Sequence, residues 1–346
     1  MSTSGATVSV IIPCLNAEAT LAEAIGSALD QTVPPLEVLV MDDGSTDRSV
    51  EIAGSFGPPV RVLPNREGCT GGARGGGTRE AQGTYVTFCD ADDTIHPAKI
   101  EKQLAVLANA DPNTLVHAGA EIVYDDRSRP PYFRKGGEAA TGRCLQVVFE
   151  HNPVCGASVM MRRATILKLG NYDPDLRGTD DYGLSLVAAT RCDFVYLAEP
   201  LYRMRRHRGT MTIHKADMAY YHWLAQDKFR RCCPEAFAKL PAESIRRYMI
   251  EPVLRAVREA YWQREPEGYR QLLSLARRLA PEDPEIRRLW RRRWCPMPAL
   301  RFWDLLKERG TVPISPSSDH IAVWPGAGIN PLSLRNGDSP RPGASP

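Results

Sequence analysis

The sequence predicts an α/β protein built on a doubly wound, mostly parallel sheet with a helical C-terminal extension. Three observations carry this. Strand-like and helix-like segments alternate through the first half of the 346-residue chain. Polar clusters fall just beyond the carboxyl ends of the first, second and fourth strands, where such sheets place their ligands. The length suits one large domain plus an appendage.

The elements follow in order. "VSVIIP" (Val8 to Pro13) is a short apolar run of the kind a sheet buries on both faces, and "AEATLAEAIGSALDQ" repeats Leu21, Ile25, Ala28 and Leu29 at helical spacing. "EVLVMDD" (Glu37 to Asp43) is the second strand. "GSTDRSVEIAGSF" then opens on turn and cap residues before a helical period. "VRVL" (Val60 to Leu63) is a third strand, and a glycine-rich segment, Gly68 to Gly83, leads into "YVTFCD". Pro97 stands at a first helical position ahead of "AKIEKQLAVLANA", and "TLVHAGAEIVY" is a further strand. From Asn152 to His214 strand-like "SVMMRR" and "FVYLAEPLYRM" alternate with helix-like "TILKLG" and "DDYGLSLVAATR". These divisions give a catalytic-type domain over 1–214, a basic helical extension over 215–309 and a disordered tail rich in Pro, Gly and Ser over 310–346.

Composition narrows the class. The apolar fraction of 43% and charged fraction of 25% are those of a soluble globular protein. No run reaches the roughly 18 apolar residues that span a bilayer. The start, "MSTSGATVSVIIP", has neither a basic nor a long apolar leader, which suggests a cytoplasmic protein. Nine scattered cysteines without C-x-x-C read as reduced thiols. A net charge of +3 is too small for a nucleic-acid binder, but "RMRRHR" and "RRLWRRRW" concentrate arginine. The second, with its interleaved aromatics, suits either a peripheral contact with anionic lipid on the inner membrane face or a helix packed on the main domain.

The chemistry concentrates in "TYVTFCDADDT", where a buried-strand pattern surfaces into Asp90, Asp92 and Asp93. Paired carboxylates at a strand's carboxyl end suit a hard divalent cation, Mg²⁺ or Mn²⁺, that shares its remaining positions with a substrate diphosphate. Capping the helix that begins near Pro97 accounts for one of these acids, not for three.

Taken in order, "VSVIIPCLNAEATLAEAIGSALDQT", "EVLVMDDGSTD", "GGARGGGTREAQGTYVTFCDADD" and "GTDDYGLSL" resemble the family-two glycosyltransferases of GT-A fold, over about two-thirds of the chain. The resemblance implies a metal-dependent, inverting transfer of a sugar from a nucleotide-sugar to an acceptor hydroxyl on a saccharide or lipid-linked molecule. It makes Asp92 the principal metal ligand, turns Asp90 toward the ribose and diphosphate, and leaves Asp93 to support the loop. It sets the nucleotide base against Pro13, Cys14, Asn16 and Asp43. An aspartate there accepts from the N3–H that uracil and thymine carry, which favours a UDP-sugar. Arg74 is implied to reach the base or diphosphate, and Gly75 stands where relatives often carry asparagine. Asp181 is the implied general base and Asp180 its neighbour, although Thr179 or Asp180 can also cap the following helix. In "LYRMRRHRGTMT", His207 is offered to the metal shell or to phosphate.

A rival reading comes from "GGGTR" (Gly75 to Arg79), which imitates the triphosphate loop of sugar-nucleotide pyrophosphorylases. That loop belongs after a first strand, whereas this one lies three strands later.

Overall fold

A computed structural model describes residues 5–126, 129–134, 137–206, 215–263, 269–291 and 293. The strands are β1 (Val8–Cys14), β2 (Glu37–Asp42), β3 (Val60–Pro64), β4 (Tyr85–Phe88), β5 (Thr94–Ile95), β6 (Thr114–Tyr124), β7 (Tyr132–Arg134), β8 (Met160–Arg162) and β9 (Asp193–Arg206). They form one sheet in the order β3-β2-β1-β4-β8-β6-β9-β5, with β7 added to β6. β1, β2, β3 and β4 run parallel, as do β6 and β9, while three-residue β8 is antiparallel to both β4 and β6. The sheet is therefore mixed at its centre, a departure from the parallel pattern the alternating segments suggest.

Both faces of the sheet are covered, which explains why β1 and β2 are apolar at successive positions instead of alternating. Ile11, Leu39, Met41, Val86 and Phe88 point into one buried cluster. Val8, Val10, Ile12, Val38 and Val40 point into the other. On the second face lies α1 (Leu21–Leu29), whose Leu21, Ala24, Ile25 and Ala28 are buried at helical spacing. α2 (Ser49–Ser55) places Ala53 in that cluster too.

The glycine-rich segment folds as a helix, α3 (Thr70–Glu80), which intrinsic propensity argues against. Close packing overrides that preference. A Cβ on Gly77 would lie 2.6 Å from Ile11 Cγ2, and one on Gly71 2.9 Å from the Asp173 carbonyl oxygen. The helix can thus lie almost against β1 and β2, which brings the residue between those glycines, Arg74, over the carboxyl ends of the strands.

The remaining helices are α4 (Lys99–Leu107), α5 (Leu145–His151), α6 (Arg163–Lys168), α7 (Asp180–Ala188), α8 (Lys215–Cys232), α9 (Pro234–Phe237), α10 (Ala242–Ile245), α11 (Glu251–Gln263), α12 (Tyr269–Leu279) and α13 (Pro284–Arg291), with a π-turn over Arg246–Ile250 between α10 and α11. Ala225 and Phe229 of α8 join Tyr182 and Leu186 of α7 in the first cluster, so the chain past residue 214 begins inside that core. α11, α12 and α13 bury a separate set, including Val257, Leu272, Ile286 and Leu289. The tail from 294 onward and part of the basic aromatic segment lie outside the described residues.

Substitution separates the two roles of glycine in α3. Gly77→Ala should lose about 1–3 kcal/mol by overpacking Ile11. Gly76→Ala, whose Cβ meets the ends of two long side chains, Met41 Cε at 3.3 Å and Arg79 Nη2 at 3.8 Å, should stay within about 1 kcal/mol of the parent. Urea denaturation of the two variants checks this.

Candidate active site

Registers bring the acidic segments to one edge. Cys14 stands opposite Asp42, and Ile11 opposite Phe88, so the loops after β1, β2 and β4 leave the sheet side by side. The first two are sewn together. Asn16, at φ 49, accepts from the Thr46 amide at 2.8 Å, and its own amide donates to Ser45 Oγ at 3.0 Å. Asp42 accepts from the Gly44 and Ser45 amides, closing its own turn. Asp43 remains for the cleft. Its Oδ1 accepts from Asn65 Nδ2 at 2.8 Å, and partial burial pushes its carboxyl above the usual range. Pro13 is half-buried on β1. Cys14 is buried, and burial pushes its thiol up to about 11, so it contributes shape and not a thiolate.

Arg74 is the centre of the site. Its Nη1 donates to Asp180 Oδ2 and its Nη2 to Asp90 Oδ1, both at 2.8 Å. Arginine and Asp180 are both buried, whereas the Asp90 side chain is 32% exposed. One guanidinium therefore ties α3 to the start of α7 and to the turn after β4. Arg74 is itself buried, and each of its Nη atoms holds a carboxylate. Its Nε is buried without a partner among the described residues.

The three acids of the β4 turn diverge. Asp93 is buried and accepts from the Tyr202 hydroxyl at 2.5 Å and the Arg205 amide at 2.7 Å, which locks the turn onto β9. Burial and the two neighbouring carboxylates raise its carboxyl well above the ordinary range. Asp90 keeps one oxygen beside the Tyr202 hydroxyl at 3.4 Å. Asp92 is half-buried beside it. Among the described residues no three His, Cys, Asp or Glu side chains gather into a metal cage. Two hard oxygen donors at an open edge suit a cation that completes its shell with diphosphate and water. His207 lies outside the described residues. Of the neighbouring arginines, Arg203 is paired with Glu121 and Arg205 with Glu23.

Asp180 and Asp181 occupy the first turn of α7, where the helix N-terminus favours negative charge. They face different ways. Asp180 is buried under Arg74. Asp181 lies against the short turn Gly156–Ser158, so closely that a Cβ on Gly156 would come within 2.5 Å of its Oδ2. Burial and the adjacent Asp180 charge raise its carboxyl to about 6, partly offset by Arg74 and by the Tyr182 amide that donates to its Oδ1 at 2.7 Å. Thr179, a candidate cap, makes no side-chain cap bond and donates to the Tyr221 carbonyl of α8 instead.

Several participants escape a reading of sequence. Tyr202 stands inside the quoted "LYRMRR", but only the pairing of β9 with β5 brings it under Asp93. Gly156 carries no signal beyond being a glycine. At Gly75 an amide does arrive, from Asn171, whose Nδ2 donates to the Gly75 carbonyl at 2.9 Å from a backbone at φ 67. "GGGTR" is helix, with Arg79 paired to Glu67.

A mixed sheet with an acidic edge, closed by an arginine between two acid pairs, defines a GT-A glycosyltransferase architecture. Solved structures agree on the fold. TarS 1–349 of S. aureus, in complex with UDP-GlcNAc, is similar with a TM-score of 0.58 and 18% identity, covering 78% of this chain and 79% of that one. The mannosyltransferase PcManGT from Pyrobaculum calidifontis, in complex with GDP-Man and Mn²⁺, gives 0.51 and 18% over 89% and 88%. The model for "Glycosyl transferase family 2" matches residues 9–169. An uncharacterized glycosyltransferase of Rickettsia typhi is 33% identical over 181 residues, 51% of this chain and 57% of its own length. One from Rickettsia prowazekii is 31% identical over 59% of this chain and 65% of its own. A PGL/p-HBAD biosynthesis glycosyltransferase of Mycobacterium bovis is 30% identical over 51% and 68%. The chain belongs to glycosyltransferase family 2. It spans a little over half to about two-thirds of these relatives.

Removing the cation between the acids tests the central contact. Arg74→Met leaves Asp180 buried and unpaired, and should cost about 3–5 kcal/mol in denaturant unfolding. Adding Asp180→Asn should restore a substantial part of that loss, giving strong non-additivity in the double-mutant cycle.

Proposed function

We propose that the chain is a metal-dependent, inverting glycosyltransferase that moves a sugar from a UDP-sugar to an acceptor hydroxyl. The observation that carries this is Asp181. It is a carboxylate raised to about 6 at the start of α7, separated from Asp90 by the Arg74 fork. Such a group is deprotonated at neutral pH yet basic enough to accept a proton in the transition state.

The reaction balances as a single displacement. The acceptor oxygen attacks the anomeric carbon opposite the nucleotide as its proton passes to Asp181. The new C–O bond forms, the bond to the β-phosphate oxygen breaks, and UDP carries the electron pair away. Asp90 and Asp92 would hold Mg²⁺ or Mn²⁺, which when bound offsets the charge of the departing diphosphate. Pro13, Cys14 and Asn16 shape the base site beside Asp43, and Arg74 acts by fixing Asp90 and Asp180. The Mn²⁺ in the complex of the mannosyltransferase relative, and the UDP-GlcNAc in that of TarS, support this donor and cofactor class.

The acceptor is a saccharide or a lipid-linked molecule. No helix among the described residues is long and apolar enough to cross a membrane. Contact with a lipid-linked acceptor would run through the basic aromatic segment of the 215–309 extension. A sugar nucleotidyltransferase is the weaker reading, because the run that imitates its phosphate loop is helical.

Four outcomes test the proposal. In a UDP-release assay with a donor panel and Mn²⁺, kcat/KM should rise through about pH 6 and level off above it. Asp181→Asn should lower transfer by about 10²–10⁴-fold while leaving UDP binding near parental. Because folding raises this carboxyl, its ionised form disfavours the native state above the unfolded value, so Asp181→Asn should also raise the melting temperature at pH 7–8. Asp92→Ala should weaken Mn²⁺-dependent UDP binding about tenfold or more by calorimetry. Parental activity in Asp181→Asn would remove the general-base assignment.

A further inference from the structure

The segment Asp173–Thr179, which leads into α7, is fastened on both sides. Toward the nucleotide corner, Cys69 Sγ donates to the Pro174 carbonyl at 3.3 Å. The Cys69 carbonyl in turn accepts from Asn65 Nδ2 at 2.9 Å, and the same amide nitrogen holds Asp43 Oδ1 at 2.8 Å. Toward the C-terminal helices, Lys228 of α8 donates to Asp173 and Asp175 at 2.7 Å each. Leu176 is buried, and Gly178 turns the chain at φ 69.

Arg177 stands between those two residues. It is half-buried, yet makes no hydrogen bond or ion pair with any other described residue. Arg74, Arg79, Arg163, Arg203 and Arg205 are all engaged. The charge of Arg177 acts on Asp43, on Cys69 and on Tyr221, the groups that bound this corner. Its guanidinium donors have no partner among the described residues and are open to a ligand.

We propose that Arg177 is a nucleotide-specificity residue, donating to a ring carbonyl of the donor's pyrimidine while Asp43 accepts from the adjacent ring N–H. A cationic donor and a carboxylate acceptor bordering one corner match the alternating C=O and N–H edge of an imide. The diphosphate is allotted to the Asp90–Asp92 end of the cleft, so the corner beside Asp43 faces the base. This assignment rests on the nucleotide-sugar reading above.

Calorimetry on the full chain with UDP and with inorganic pyrophosphate, both with Mn²⁺, tests it. Arg177→Ala should weaken UDP about tenfold or more and leave pyrophosphate unchanged. Arg177→Lys should recover part of the loss, and Arg191→Ala, an exposed position past the end of α7, should match the parent. A thermal midpoint close to the parent's is expected for Arg177→Ala, because no described residue loses a hydrogen bond or ion pair. UDP affinity within twofold of the parent would overturn the assignment. Equal losses for UDP and pyrophosphate would overturn it too, by placing Arg177 on the diphosphate. A parent that binds neither ligand would overturn the glycosyltransferase proposal itself, a result distinct from either.

Discussion

The site depends on one buried guanidinium. Arg74 divides itself between Asp90, at the end of the fourth strand, and Asp180, in the first turn of α7. A lysine could neutralise one of these acids but could not span both from a fixed plane, so arginine geometry sets the spacing of the cleft. Two charges this deeply buried are costly to desolvate, and their pairing mainly confers a defined geometry. The arrangement also dictates the neighbouring sequence. For the guanidinium to join these acids, its helix must approach the sheet closely, and that accounts for glycine at positions where a Cβ would strike Ile11 or Asp173.

Electrostatics then assigns different work to acids of the same type. Asp93 is withdrawn under Tyr202 and the Arg205 amide and shapes the turn. Asp90 shares one oxygen with Arg74 and sets the other beside the Tyr202 hydroxyl. Asp180 is spent on Arg74, and its charge helps raise Asp181 beside it. Burial pushes the Asp93, Asp180 and Asp181 carboxyls up, while the Arg74 guanidinium pulls the last two down. Where the balance falls near neutrality a proton acceptor results. Asp181 is proposed to hold that position, and the missing Cβ of Gly156 leaves room for its carboxylate.

Much of this was legible in the sequence. The apolar runs of β1 and β2 and the acids after β4 follow from period and composition, and the ordered motifs identify the family. The glycine-rich run was legible as punctuation but not as a helix, because its stability comes from packing that propensity cannot express. The antiparallel β8 was not legible, since three residues carry no direction. The pairing of Arg74 with Asp180, across 106 positions, was not legible either; only the folded chain shows which acids the arginine joins. Asn171 reaching Gly75, and Arg177 without a hydrogen bond or ion pair among the described residues, are likewise products of loop geometry.

Anomalous diffraction from a crystal of the full chain soaked with Mn²⁺ and UDP examines the arginine-centred frame most directly. The account predicts one manganese peak between the Asp90–Asp92 turn and the diphosphate, with Arg74 still joining Asp90 to Asp180. An ordered UDP with no metal beside those aspartates, or an Arg74 withdrawn from both acids to bind the phosphates, would contradict it.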